Sequence, residues 1–198
     1  ALAVQLLVDL FDVEVVLNFG FVGAVNHNLD LCELVAVGRV CHYQFDVTEV
    51  DTDRVVGQYG GMRDNYFYLN ETVLNNVLAN VGKPMKVVTC ASGDKFVARK
   101  DEKDRLRNEF GADICEMELA GLAIACERNN VPLFSLKVVS DKAEEGANES
   151  FLSIVEKGVA GYEKILPAIL KAVTSGATSL PPARKQRGSV ACVKKENE

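Results

Sequence analysis

The sequence predicts a three-layer α/β fold, a central sheet with helices on its faces, and three observations carry that expectation. Short strand-like runs alternate with longer segments whose apolar residues fall at helical spacing. Gly, Pro and Asn turn signals sit between them. Residues 133–139, LFSLKVV, form a nearly continuous apolar run of the kind expected of a strand buried on both faces. The 198 residues, 48% hydrophobic and 25% charged, have an ordinary globular composition and are enough for one full core.

The elements follow in order. Residues 1–11, ALAVQLLVDLF, read as an apolar helix with no cap or start signal and no Met before it, so the chain is expected to lack its beginning. A short strand over 13–17 follows, and NFGFVGAVN reads as a Gly-punctuated turn whose backbone a ligand can approach closely. Residues 34–48 alternate as a strand with Gly38 at a bulge or bend, and 48–66 read as a loop. The spacing of Val73, Leu74, Val77 and Leu78 predicts a helix over 70–81, ended by Gly82-Lys83-Pro84. Residues 85–90 are the next strand, 91–97 the loop after it, and 100–110 a charged helix with a solvated face.

Residues 112–141 carry the first functional signal. Glu116 and Glu118 interrupt an apolar run, and a buried carboxylate costs several kcal/mol unless it has a partner or a task. From Leu119 the residues are small and apolar all round, which predicts a buried helix stopped at Asn129-Asn130. Val131-Pro132 then favours extended backbone, and Asp141 ends the following strand. Ligands of open parallel sheets collect at strand carboxyl ends, where Glu118 and Asp141 would meet. A helix over about 150–173 contains Pro167, which implies a kink or break, and the small, polar, basic residues from Thr174 onward read as disordered.

Several classes are disfavoured. The net charge of −6 argues against a nucleic-acid partner, and no apolar run approaches the roughly 20 residues of a membrane span. The protein is therefore expected to be intracellular and cytoplasmic. Cys32, Cys41, Cys90, Cys115, Cys126 and Cys192 show no CxxC pairing and read as reduced core thiols, while His27 and His42 form no metal pair.

Four motifs in order carry a resemblance: NFGFVGAV after a strand, ASGDKFV after another, ICEMELAGLAIAC at a strand-to-helix turn, and VVSDKA followed by Ser150-Phe151. The chain resembles the nucleoside phosphorylase superfamily, most closely its methylthioadenosine/S-adenosylhomocysteine nucleosidases. The resemblance implies a phosphorylase/hydrolase-like fold with a mixed central sheet, over residues 1–173, N-terminally incomplete, followed by a tail over 174–198. It implies hydrolysis of the N-glycosidic bond with release of adenine, no cofactor or metal, and a homodimer whose contact is carried by residues 46–59. It assigns Phe96 to stacking on adenine, the Val97 backbone to the adenine edge, and Asp141 to protonation of adenine N7. Met117 and Glu118 fall to the ribose, Glu118 binding its hydroxyls; Glu116, Val22 and Gly23 also contact substrate, and Phe151 lines the pocket for the 5′-substituent. Lys137, grouped with Asp141 as catalytic, stands where these nucleosidases usually carry Arg, which keeps the charge but not the bidentate fork. Phe21 replaces a usual Ser or Thr hydroxyl, and the Glu that activates water is expected upstream of Ala1. A phosphorolytic enzyme and a non-catalytic nucleoside-binding homologue are the alternatives.

Overall fold

A computed structural model describes residues 1–141 and 151–176 of the chain. Its spine is the parallel pair β1 (Val16–Ala24) and β6 (Leu133–Asp141), in register from Val16 opposite Leu133 to Val22 opposite Val139. Every β6 residue from Leu133 to Ser140 is buried, as the sequence predicts for a strand covered on both faces. A register shift between Val22 and Gly23 then sets Gly23 opposite Asp141.

The strand β2 (Leu34–His42) pairs in parallel with β4 (Lys86–Ser92), with a bulge between Val37 and Arg39 where Gly38 is expected to bend the chain. β4 pairs in parallel with β5 (Ile114–Glu116), and β5 runs antiparallel to β1. The sheet is mixed and flanked by helices, and it also closes on itself: Leu34, Val35 and Ala36 of β2 pair antiparallel with Val138, Lys137 and Leu136 of β6. The two-residue β3 (Phe67–Tyr68), which has no signal in the sequence, adds to the outer half of β2.

The helices cover this ring from separate sides. α1 (Leu2–Phe11) packs on α4 (Leu119–Asn129), and α2 (Glu71–Asn80) packs on α5 (Phe151–Gly176). Along β2, Val35 and Val37 join the core under α4 while Ala36 joins the one under α2 and α5, the period-2 alternation of a strand between two layers. α3 (Lys100–Phe110) seats Leu106 and Phe110 on the third core, with Cys41, Ala91 and Cys115. Local signals explain the helix ends: Asn70 caps α2 by accepting from the Val73 N–H at 3.0 Å, and Asn130 ends α4 in the left-handed conformation. Pro167 lies inside α5 without ending it, and α5 runs to Gly176, into the segment read as a tail. The remainder of that tail, with Cys192, and the acidic segment after Asp141 lie outside the described residues.

One expectation needs correction. NFGFVGAVN is not a turn: residues 18–24 are strand, and Gly20 and Gly23 lie within it without the positive φ that a turn glycine uses. Both are needed for space. A Cβ on Gly20 would sit 3.3 Å from the Lys137 ammonium, and one on Gly23 would sit 3.2 Å from both Asp141 Oδ1 and Cys115 Sγ. Among the described residues no helix is long and apolar enough to cross a membrane, and Cys32, Cys41, Cys90, Cys115 and Cys126 are free thiols.

Candidate active site

Gly23 is the point on which the site converges, because its backbone faces Cys115 of β5 on one side and Asp141 of β6 on the other. The ends of these strands open into a cavity of about 240 Å³. β1 contributes Phe21, Val22 and Gly23; the loop after β4 contributes Lys95, Phe96 and Val97. The β5–α4 turn adds Cys115, Glu116, Met117 and Glu118, and β6 adds Ser140 and Asp141. Four segments far apart in sequence thus share one concave surface.

The floor is charged and buried. Glu116 and Lys137 form an ion pair, Nζ to Oε2 at 3.3 Å, with each side chain 2% exposed. Burial of a carboxylate is tolerated here because every direction is answered: both Glu116 oxygens accept the Leu119 N–H, at 2.9 and 3.0 Å, and Oε2 also accepts the Glu118 N–H at 3.1 Å. Ser92 accepts the next amide, that of Ala120, at 3.0 Å. The first donors of α4 are therefore taken from below, and Glu118 at the N-cap is exposed and makes no side-chain capping bond.

The rim is exposed. Phe96 is 72% and Met117 41% exposed, an aromatic ring and a thioether presented to solvent at the cavity mouth. Plain core packing does not describe Phe96. Val97 beside it is buried against the core of α3, which anchors the loop. Lys95 is tied to Glu102 at 2.8 Å, so the lining holds Glu116, Glu118 and Asp141 against a lysine already paired. The Asp141 carboxylate is steadied by the Ser140 hydroxyl, 3.2 Å from Oδ2, and this hydroxyl also lies 3.2 Å from the Val22 carbonyl. Burial, and then the charge of Asp141, push the Cys115 thiol up to about 12, so it lines the cavity as a neutral group.

Of the residues singled out in the sequence, Val22, Gly23, Phe96, Val97, Glu116, Met117, Glu118 and Asp141 meet at this cavity. Lys137 does not line it; four residues back along β6 its ammonium lies behind Glu116. Phe151 is the first residue of α5, and its side chain lies outside the described residues. Sequence reasoning passed over Cys115, Lys95 and Ser140, each a neighbour of a chosen residue with no chemical signal of its own. Phe21 was noted only as a departure; its ring lines the cavity and packs edge-on to Tyr162 of α5, with centroids 6.4 Å apart.

A second cavity of about 340 Å³ shares Met117 and Glu118 and is bounded by His42, Ser92 and Asp94. Burial lowers the His42 pKa, opposed by the charge of Asp94, and its Nδ1 lies 2.6 Å from the Tyr59 hydroxyl. Tyr59 in turn stacks on Phe45 at 3.9 Å, which orders part of the segment 46–59. Among the described residues no cluster of His, Cys, Asp or Glu is arranged to hold a metal ion.

Comparison with known proteins gives this geometry a context. The family model described as the phosphorylase superfamily matches residues 1–173. An aminodeoxyfutalosine nucleosidase of Campylobacter jejuni is 30% identical over 154 residues, 76% of this chain and 66% of that protein. A 5′-methylthioadenosine/S-adenosylhomocysteine nucleosidase of Oceanobacillus iheyensis shows the same identity and coverage, so the chain spans about two thirds of the length of these curated relatives. The crystal structure of the Campylobacter jejuni 5′-methylthioadenosine/S-adenosylhomocysteine nucleosidase superposes with a TM-score of 0.76 at 27% identity, covering 86% of this chain and 75% of that one. The 5′-methylthioadenosine/S-adenosylhomocysteine nucleosidase from S. pneumoniae, solved with the transition-state inhibitor MT-ImmA, gives 0.76 at 28% identity, over 87% of this chain and 75% of that one.

Proposed function

This chain belongs to the phosphorylase superfamily, and from that premise we propose that it hydrolyses the N-glycosidic bond of an adenine nucleoside bearing a 5′-thioether, 5′-methylthioadenosine or S-adenosylhomocysteine, releasing adenine. The observation that carries the reading is the meeting of an exposed aromatic ring, Phe96, with Glu118 and Asp141 around one cavity of about 240 Å³. Breaking this bond leaves positive charge on the ribose and an electron pair on the departing base. Phe96 stacks on the adenine and the Val97 backbone meets its edge. Asp141 gives a proton to N7 as the C1′–N9 bond breaks and its electron pair leaves with the adenine, while water adds its oxygen to C1′ and gives up a proton to solvent, from which Asp141 is protonated again. Glu118 holds the ribose hydroxyls, and the surrounding carboxylates stabilise the oxocarbenium-like sugar.

The lining also supports water over phosphate as the acceptor. The exposed carboxylate of Glu118 and a lysine already paired to Glu102 disfavour an anionic acceptor, and Phe21 offers it no donor. The same reading makes the protein a cytoplasmic homodimer of methionine salvage acting on a small nucleoside, with exposed Val50 and Val55 of the segment 46–59 available to a second copy. A second substrate is favoured by the 30% identity to aminodeoxyfutalosine nucleosidases; it differs at the 5′ end and leaves the chemistry at C1′ unchanged.

Assay of each nucleoside with and without phosphate tests the proposal. Free adenine with an unphosphorylated sugar product, at a rate independent of phosphate, is expected. A sugar 1-phosphate would convict the chain of phosphorolysis, and no adenine from any of the three would leave it a nucleoside-binding homologue.

A further inference from the structure

We propose that the buried Lys137–Glu116 pair is a positioning device for Glu118, acting through the first peptide groups of α4 and not on the substrate; this rests on the reading of Glu118 as the ribose-binding carboxylate. Lys137 is 2% exposed in the middle of β6 and has no place in the lining of the cavity. Its slot is nonetheless built with care. Gly20 stands opposite it in register, and a Cβ there would lie 3.3 Å from the ammonium. The Gly20 peptide is held in turn by Tyr162 of α5, whose hydroxyl donates to the Gly20 carbonyl at 2.6 Å and accepts the Gly20 N–H at 3.1 Å.

The link to Glu118 is a single atom. Glu116 Oε2 takes the Lys137 ammonium at 3.3 Å and the Glu118 N–H at 3.1 Å, while both Glu116 oxygens hold the Leu119 N–H. The ammonium keeps this carboxylate aimed, the carboxylate pins the backbone at 118 and 119, and that backbone sets where the exposed Glu118 side chain begins. A pair serving stability alone needs no such coupling, since buried ion pairs are commonly replaceable by apolar groups of similar volume. Displacement of a binding group by a fraction of an ångström is felt in substrate affinity.

The test compares ribo- and 2′-deoxy-nucleoside substrates in the whole protein, with thermal unfolding measured for each variant. Lys137→Met is expected to raise KM for the ribonucleoside about tenfold and to erase most of its advantage over the 2′-deoxy compound, the same loss expected of Glu118→Gln. Combining Lys137→Met with Glu118→Gln is expected to lose no further preference than Glu118→Gln alone, because both act on one contact. Lys137→Arg, which keeps the charge, is expected to restore the preference to within a few-fold. Should Lys137→Met fail to fold, the charge-free combination of Lys137→Met with Glu116→Gln serves in its place, with the same loss expected. A variant that melts earlier yet keeps the full ribose preference overturns the inference and leaves the proposed reaction standing. Unmodified protein that releases adenine from neither compound overturns the proposed reaction, and this inference with it.

Discussion

Glu116 and Glu118 stand two residues apart at the turn from β5 into α4, and the fold treats them in opposite ways. Glu116 is buried, salt-bridged and bonded to two backbone amides; Glu118 is exposed and caps nothing. The contrast extends to the whole cavity. Its floor is buried Glu116 over buried Lys137, with half-buried Gly20 and Tyr162 beneath, polar groups satisfied within the fold. Its rim, Phe96, Met117 and Glu118, is open to solvent. Such a division lets the floor take the desolvation cost and fix the backbone, while the rim keeps its contacts for a ligand.

Substitutions should separate the two regions, and the largest effect is expected where they meet. Asp141→Asn keeps an acceptor for the Ser140 hydroxyl but cannot supply a proton, so kcat for adenine release should fall about 10²–10⁴-fold with little change in KM or melting temperature. Near-normal turnover would remove Asp141 from the chemistry. On the floor, Gly20→Ala pushes a methyl towards the ammonium and should cost about 1–3 kcal/mol of stability, read by denaturant unfolding. An unchanged midpoint would mean that the slot is looser than its geometry.

On the rim, Phe96→Ala should leave stability nearly untouched, since the ring is 72% exposed, while weakening adenine-nucleoside binding by about 1–3 kcal/mol in a calorimetric titration. Loss of stability without loss of binding would reassign the ring to packing. The smallest effect is expected at Lys95, whose bridge to Glu102 is half exposed. Lys95→Ala should shift stability by less than about 0.5 kcal/mol, and a larger loss would count against treating the rim as energetically loose.

Much of this division could be read from the residues. The run 133–139 announces a doubly covered strand, Asn70 and Asn130 mark helix ends, and the out-of-place carboxylates at 116 and 118 flag the turn. The resemblance then supplied roles for residues that do gather at one cavity. Other features were hidden for physical reasons. Gly20 and Gly23 look like turn residues because local sequence cannot tell a glycine needed for φ from one needed for the room of a distant side chain. Lys137, on the same strand as Asp141, was grouped with it because the resemblance sets it where these nucleosidases usually carry Arg. Four residues of extended chain put roughly 13 Å between them, enough to place it under the floor. Ring closure depends on β2 meeting β6, which neither segment signals alone.

That closure has a consequence for how the molecule comes into being. Among the described residues β1 finds its parallel partner in β6, and β2 pairs Ala36 with Leu136, so neither early strand can complete its hydrogen bonding until ~100 further residues have been made. On the ribosome the first strands must wait, with their edges open, for the strand that carries Asp141. Closing the ring and delivering Asp141 to the cavity are then one event, and no complete sheet with Asp141 still out of the cavity should accumulate during refolding.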